Sequence, residues 1–164
     1  MQLFLLRHGI AAEPEASLDD ADRPLTKEGR HKLASVIAAM QAMDLSFDLI
    51  LSSPYLRARQ TAELVVAELP AKNFGFEEAL VPGGSARDLI AALQRRHAVC
   101  ESVLLVGHEP SLGSLISLLL TGETDLPITM KKAGLCKLEL HALRHGRCAR
   151  LEWLLTPRQM ALLA

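Results

Sequence analysis

The segment Leu3-Phe4-Leu5-Leu6-Arg7-His8-Gly9 joins an unbroken apolar run to two basic side chains and a glycine. Two later segments have the same design: residues 49–51 run into Ser52-Ser53-Pro54, and residues 103–106 run into Gly107-His108-Glu109-Pro110. Apolar runs without alternation are typical of strands that helices cover on both faces. Each of these predicted strands therefore ends in polar residues.

Helical patterns lie between and after these strands, in residues 27–43, 55–69, 86–96 and 111–120. Their predicted N-terminal signals are Thr26 as an N-cap, Ser53 as an N-cap before Pro54, and a capping box from Ser85 to Asp88. The alternation of strands and helices favours an α/β domain with a mainly parallel sheet.

Two later segments, residues 135–140 and 149–155, alternate more regularly and are predicted as two edge strands joined by a polar turn. A short helix is expected from Thr156-Pro157, with Gln159 completing a capping box. The sequence contains no internal repeat or linker. Residues 1–164 are therefore predicted to form a single domain, a three-layer α/β/α sandwich with a largely parallel sheet and helices on both faces.

Composition limits the possible partners. The chain has 164 residues and a net charge of −1, which gives no overall reason to expect nucleic acid or an anionic membrane as partner. No apolar run approaches the ~20 residues of a membrane span, and the first residues lack a signal-peptide pattern. The three cysteines have no metal-ligand spacing, so a cytoplasmic protein with reduced thiols is expected. The lack of an obvious apolar surface stripe favours a monomer.

The three strand ends predict an anion site. In an open parallel sheet, ligands bind outside the carboxyl ends of the strands. Arg7, His8 and His108 follow such ends directly, and Arg57 lies near the start of the helix after the second. Guanidinium groups bind phosphate oxygens in a bidentate way, and helix N-termini after Ser53 and Pro110 would add N–H donors. A phosphoryl group is the natural occupant.

A histidine in this position can also react. Neutral imidazole is a nucleophile near pH 7, so His8 could form a phosphohistidine and divide hydrolysis into two steps. Gly9 would let the backbone turn and approach the ligand. Taken singly, a histidine at a strand end is more often a polar residue bound to a carbonyl, and Arg57 could be a surface charge. The joint pattern favours catalysis, which requires no metal and no cofactor.

The order of motifs resembles the histidine phosphatase superfamily, which has the phosphoglycerate-mutase-like fold. The matching segments are Arg7-His8-Gly9, Arg23-Pro24-Leu25-Thr26 with Gly29, Ser52 to Ala58 with Gln60-Thr61-Ala62, and Gly107-His108-Glu109-Pro110. The small size and the ending Leu155-Thr156-Pro157 resemble the SixA-type phosphohistidine phosphatases in particular.

This resemblance implies that His8 is phosphorylated during turnover and that Arg7, Arg57 and His108 bind the phosphate, with Gly9 and Arg23 as further substrate-binding residues. It also implies a phosphorylated protein as substrate, such as a histidine phosphotransfer domain of a two-component signalling relay.

The proton donor is the position where the chain departs from the family. Many members carry a glutamate soon after the segment matched here by residues 80–84, and residues 77–85 offer no clear equivalent. The labile P–N bond of phosphohistidine needs less acid assistance than an alkoxide leaving group does. Asp20 is the predicted alternative donor, followed by Glu109 and Glu78.

Two other functions remain open from the sequence. One is a mutase or a phosphatase for sugar or nucleotide phosphates, which the lack of an inserted lid disfavours. The other is an adaptor that binds phosphate without turnover, which the presence of His8 disfavours. The remaining histidines, His31, His97, His141 and His145, are expected on the surface or in loops.

Overall fold

A six-stranded sheet forms the framework of the computed structural model, which describes residues 1–96 and 99–164. The strands are β1 (Gln2–Arg7), β2 (Phe47–Ser52), β3 (Ala71–Phe76), β4 (Ser102–Gly107), β5 (Leu135–Leu140) and β6 (Ala149–Leu155). Their order is β3-β2-β4-β1-β5-β6. The first four run parallel, β5 is antiparallel to β1, and β6 is antiparallel to β5. This confirms the largely parallel sheet.

Helices cover both faces of the sheet. They are α1 (Lys27–Ala42), α2 (Leu56–Glu68), α3 (Ala86–Arg96), α4 (Ser111–Thr121) and α5 (Pro157–Met160). Buried residues of α1, α2 and α5 share one hydrophobic cluster, and those of α3 and α4 belong to a second. The predicted three-layer α/β/α architecture is therefore confirmed.

The two clusters explain the unbroken apolar runs. In β1, Leu3 and Leu5 pack on the side of α3 and α4, whereas Phe4 and Leu6 pack on the side of α1 and α2. All four side chains are at most 1% exposed. A strand buried on both faces needs an apolar side chain at every position, which removes the alternation.

Several predicted helix signals are confirmed. Thr26 caps α1 by accepting a hydrogen bond from the Gly29 N–H, and Thr156 forms the expected capping box with Gln159. The cap predicted at Ser53 is wrong, because α2 begins at Leu56 and its N-cap residue, Tyr55, makes no side-chain capping bond. The Ser53 hydroxyl instead contacts the ring of His108.

Two strand predictions need correction. The sequence pattern did not indicate β3, whose segment Lys-Asn-Phe-Gly-Phe is mostly exposed because it forms one edge of the sheet. Residues 135–140 were expected as an edge strand, but β5 lies between β1 and β6, so of these two strands β6 alone lies at an edge. Pairing order depends on contacts distant in sequence, which local alternation does not encode.

The other surface predictions have simple outcomes. His31, His141 and His145 are exposed, as expected, whereas the position of His97 lies outside the described residues. None of the helices in residues 1–96 and 99–164 has the length and apolar character that crossing a membrane requires.

A glycine sets the distance between α1 and the segment after β1. A Cβ atom added to Gly29 would lie 2.1 Å from the Ile10 carbonyl oxygen, closer than any real contact. The first turn of α1 therefore packs directly on the backbone that follows His8 and Gly9. This close approach holds the His8 segment against a helix on one side, while β4 holds it on the other.

Candidate active site

The carboxyl ends of β1 and β4 place two histidines side by side. Arg7 is paired with Gly107 in the parallel register, so His8 and His108 each follow directly after one of two neighbouring strands. Their ring centroids are 5.0 Å apart, and the side chains are only 6% and 2% exposed. The structure thus brings together the two imidazoles that the sequence placed at strand ends.

The orientation of the His8 ring follows from its one recorded hydrogen bond. His8 Nδ1 lies 2.7 Å from the Gly9 carbonyl oxygen. A carbonyl oxygen only accepts, so Nδ1 carries the proton and donates it, which leaves a lone pair on Nε2. Burial lowers the pKa of His8 to about 4; the Gly9 bond opposes this shift, and the charges of Arg57 and Arg7 add to it. The imidazole is therefore neutral at pH 7.

His108 is held by a hydroxyl group from the end of β2. Its Nε2 lies 2.9 Å from Ser53 Oγ, which also accepts a 3.3 Å hydrogen bond from the Tyr55 N–H. Burial lowers the pKa of His108 to about 3, and the charges of Arg57 and Arg7 act in the same direction. Among the described residues, no hydrogen-bond partner is recorded for the buried Nδ1 atom. His108 is thus a second neutral imidazole with one ring nitrogen uncommitted.

Both predicted arginines lie beside these rings. The charges of Arg7 and Arg57 each lower the pKa values of His8 and His108, so the four groups share one electrostatic environment. Arg57 is 5% exposed, and its guanidinium lies 5.2 Å from the centre of the Tyr55 ring. Arginine stays protonated under such conditions. The site therefore has two fixed positive charges next to two neutral imidazoles.

Each guanidinium is held by a loop. Arg7 Nη1 donates to the Met130 carbonyl at 2.7 Å, while the buried Nε atom has no partner among the described residues. Arg57 donates from Nη1 to the Asp20 carbonyl oxygen at 2.6 Å and from Nη2 to the Asp20 carboxylate at 3.0 Å. These contacts fix the positions of both guanidinium groups.

Asp20 joins two arginines. Its carboxylate accepts from Arg23 Nη1 at 2.6 Å as well as from Arg57, and Arg23 Nε donates to the Ala12 carbonyl at 2.8 Å. The hydrogen bond from Arg23, with a further contribution from Arg57, lowers the pKa of Asp20. The carboxylate is therefore ionised at neutral pH, and in this arrangement it positions Arg57. Proton donation by Asp20 and direct phosphate binding by Arg23 stay predictions.

The other two candidate acids have different surroundings. Glu109 accepts hydrogen bonds from the Met130 N–H at 2.8 Å and from the Gly113 N–H at 3.3 Å. Gly113 lies in the first turn of α4, so Glu109 occupies one of the N–H donors that the sequence assigned to a phosphate. Glu78 is exposed at the start of a short 3₁₀ turn, Glu78–Leu80.

Gly9 acts through its neighbours. Its N–H donates to Thr61 Oγ1 at 3.1 Å, and its carbonyl holds His8. The left-handed conformation is not what requires a glycine, since the positive-φ glycines are found elsewhere. An added Cβ would lie 3.1 Å from the Leu25 side chain. Gly9 therefore occupies a tightly packed position that orients the histidine, and its close approach to a ligand stays a prediction.

Thr61 is a site residue whose role the sequence reasoning missed. Its buried hydroxyl accepts from the Gly9 N–H and donates to the Arg57 carbonyl at 2.7 Å. A threonine within a helix commonly donates its hydroxyl to the carbonyl four residues earlier, and this tendency could have pointed to Thr61 from the sequence. The hydroxyl links the His8 loop to the helix that carries Arg57.

This arrangement suits the binding and attack of a tetrahedral oxyanion. The guanidinium groups can neutralise its charge, and the free Nε2 of His8 can act as a nucleophile. In residues 1–96 and 99–164, no group of three or more His, Cys, Asp or Glu side chains could hold a metal ion.

Comparisons with known proteins agree with this chemistry. Residues 3–80 match the family model of the histidine phosphatase superfamily (branch 1). The chain is 36% identical over 127 residues to the phosphohistidine phosphatase SixA of Escherichia coli, covering 76% of this chain and 77% of that protein. It is also 39% identical over 145 residues, 88% of each chain, to an uncharacterized protein of Picosynechococcus sp..

A solved structure gives the same fold. The protein histidine phosphatase SixA complexed with tungstate superposes with a TM-score of 0.83 at 29% identity, covering 96% of this chain and 98% of that one.

Proposed function

This chain belongs to the histidine phosphatase superfamily and to its SixA-type branch, and we propose that it hydrolyses phosphohistidine carried by another protein. The observation that supports this most directly is the His8 ring, buried, neutral and locked with its Nε2 atom free beside two guanidinium groups. The relationship to SixA supports the choice of substrate.

The proposed reaction has two transfers. In the first, the Nε2 lone pair of His8 attacks phosphorus, and the electron pair of the breaking P–N bond returns to the substrate imidazole. In the second, water attacks the phosphoryl group on His8, the new P–N bond breaks, and inorganic phosphate leaves. Arg7 and Arg57 balance the charge on the phosphoryl oxygens in both steps.

Because the leaving group is an imidazole, the first transfer does not require a strong general acid. A phosphohistidine whose ring carries a second proton departs as a neutral imidazole, without a proton from the enzyme. An alkyl phosphate would leave as an alkoxide and would need one. The ionised state of Asp20 is compatible with the first case, and no step of this mechanism requires a metal.

The substrate class can be tested with a matched set of phosphorylated compounds. We expect a phosphohistidine-containing phosphotransfer protein to be hydrolysed with a kcat/KM at least about 10²-fold above that of sugar phosphates. The measurement is phosphate release, together with trapping of a radiolabelled phosphoenzyme.

Each other outcome would identify a different function. Preferential turnover of sugar or nucleotide phosphates would indicate a small-molecule phosphatase or mutase. Binding of phosphate without label on the protein or phosphate release would indicate an adaptor. Either result would contradict the proposal.

The role of Asp20 can be separated from proton donation by changing the leaving group. We expect Asp20→Asn to lower kcat/KM about 10-fold, and by the same factor for phenyl phosphate and para-nitrophenyl phosphate, because the carboxylate positions Arg57. A much larger loss for phenyl phosphate, the poorer leaving group, would identify Asp20 as the acid. Full activity on both compounds would remove Asp20 from the site.

A further inference from the structure

A basic cleft lies next to the candidate phosphoryl pocket. It has a volume of about 810 Å³ and runs between the first half of α1, residues 131–132 and α5. Positively charged side chains line it: Arg7, Lys32, Lys131, Lys132 and Arg158. Ile10, Pro157 and Ala161 contribute apolar atoms to its lining.

Two residues connect this cleft to the reacting groups. Arg7 lines the cleft and also lies in the charge environment of both imidazoles. Lys132 lines the cleft, and its charge contributes to lowering the pKa of His8. Arg7 is thus shared between the cleft and the group of side chains around His8.

The positive charge of the cleft is largely uncompensated. Lys32 forms an ion pair with Glu28 at 2.6 Å. For Lys131, Lys132 and Arg158, the structure records no ion pair with any described residue, and no carboxylate is among the described lining residues. In a chain whose net charge is only −1, this is a local concentration of cations. Such a surface attracts anionic partners and accelerates their association.

The shape and composition of the cleft narrow the class of ligand. A volume of this size exceeds the space needed by one phosphoryl group and falls in the range of sites for larger ligands. The described lining residues include no Phe, Tyr or Trp on which a nucleobase could stack. Cations mixed with apolar surface suit Asp and Glu side chains alternating with aliphatic ones.

We propose that this cleft, here called the basic cleft, binds an acidic segment of the partner protein that flanks its phosphohistidine. This inference rests on the proposed function, because it assumes that the substrate is a phosphohistidine protein and adds that the enzyme prefers one with acidic flanking residues. The segment would enter the basic cleft while the phosphorylated ring reaches His8. Lys131 and Arg158, both exposed, would contribute to affinity and not to the chemical step.

Two phosphohistidine peptides of equal length, one flanked by Glu and the other by Gln at the same positions, test this directly. For the wild-type protein at low salt, we expect kcat/KM to be about 10-fold higher for the Glu peptide, mainly through KM, with the difference shrinking as salt rises. In the double variant Lys131→Gln/Arg158→Gln, this preference should fall below about 3-fold.

Two controls accompany the peptides. Hydrolysis of phosphoramidate, which has no acidic segment, should be unchanged in the double variant. Arg87→Gln/Arg95→Gln removes two exposed charges from α3, on the opposite face of the sheet, and should keep the full preference.

A binding measurement separates failure of this inference from failure of the proposed function. Fluorescence anisotropy with unphosphorylated, fluorescein-labelled peptides should show tighter binding of the Glu peptide to the wild-type protein, and loss of that difference in the double variant. If neither phosphopeptide were hydrolysed while this binding persisted, the proposed function would fail and the basic cleft would stand. Equal binding of the two peptides, an unchanged preference in the double variant, or reduced phosphoramidate hydrolysis would each overturn the inference.

Discussion

Replacing His8 by alanine is expected to lower kcat/KM for phosphohistidine substrates by about 10⁴-fold or more and to abolish the phosphoenzyme. Nδ1 is bound to the Gly9 carbonyl, so Nε2 is the atom that attacks, and alanine offers nothing in its place. Rapid quenching with radiolabelled substrate, in alkali to preserve the P–N bond, measures the intermediate.

Two comparisons make this result specific. His8→Gln keeps a polar side chain of similar length and should be equally inactive, which separates loss of the nucleophile from loss of packing. His145→Ala removes an exposed histidine and should retain full activity. Thermal unfolding should show a folded protein in each case, and label retained by either His8 variant would refute the nucleophile assignment.

Arg57→Ala is expected to lower kcat/KM by about 10³-fold, since a fixed positive charge on the phosphoryl oxygens is lost from a buried site. Arg57 is 5% exposed, so water does not readily replace its guanidinium. The Asp20 side chain is 51% exposed and remains paired with Arg23, so the loop keeps one of its anchors. Steady-state kinetics on the protein substrate and on phosphoramidate should show the same loss.

The neighbouring helix position supplies the matched control. Arg59 lies two residues further along α2, is exposed, and pairs with Glu63 at 2.8 Å. Arg59→Ala should therefore change kcat/KM less than about 2-fold, as expected for a surface ion pair. Arg57→Lys restores the charge without the planar fork and should recover activity only in part. Equal effects at positions 57 and 59 would contradict the assignment.

The central part of the fold and site could be predicted because it depends on local sequence and simple topology. The runs in β1, β2 and β4 are apolar at every position, and strands of this kind are buried in parallel sheets. Since the carboxyl ends of such strands meet at one edge, His8 and His108 were expected to be close. The closeness of His8 and His108 could therefore be predicted from the order of strands and helices along the chain.

Other features depend on contacts between segments distant in sequence. Ser53 has the residue type of a helix cap, yet its hydroxyl contacts His108, which is 55 positions away. Asp20, the predicted proton donor, has its carboxylate bound by Arg57, which is 37 positions away, and that contact could not be read from local sequence. Strand β3 was missed because its side chains face solvent at the edge of the sheet, where apolar patterning is weak.

Thr61 also bears on how the site behaves before substrate arrives. Its one hydroxyl joins the Gly9 N–H to the Arg57 carbonyl, and the residue is fully buried. The Thr61 hydroxyl therefore fixes the distance between the backbone next to His8 and the backbone of Arg57. Preorganisation of this kind reduces the ordering that an incoming anion must bring about, so more of its binding energy remains for the transferring group.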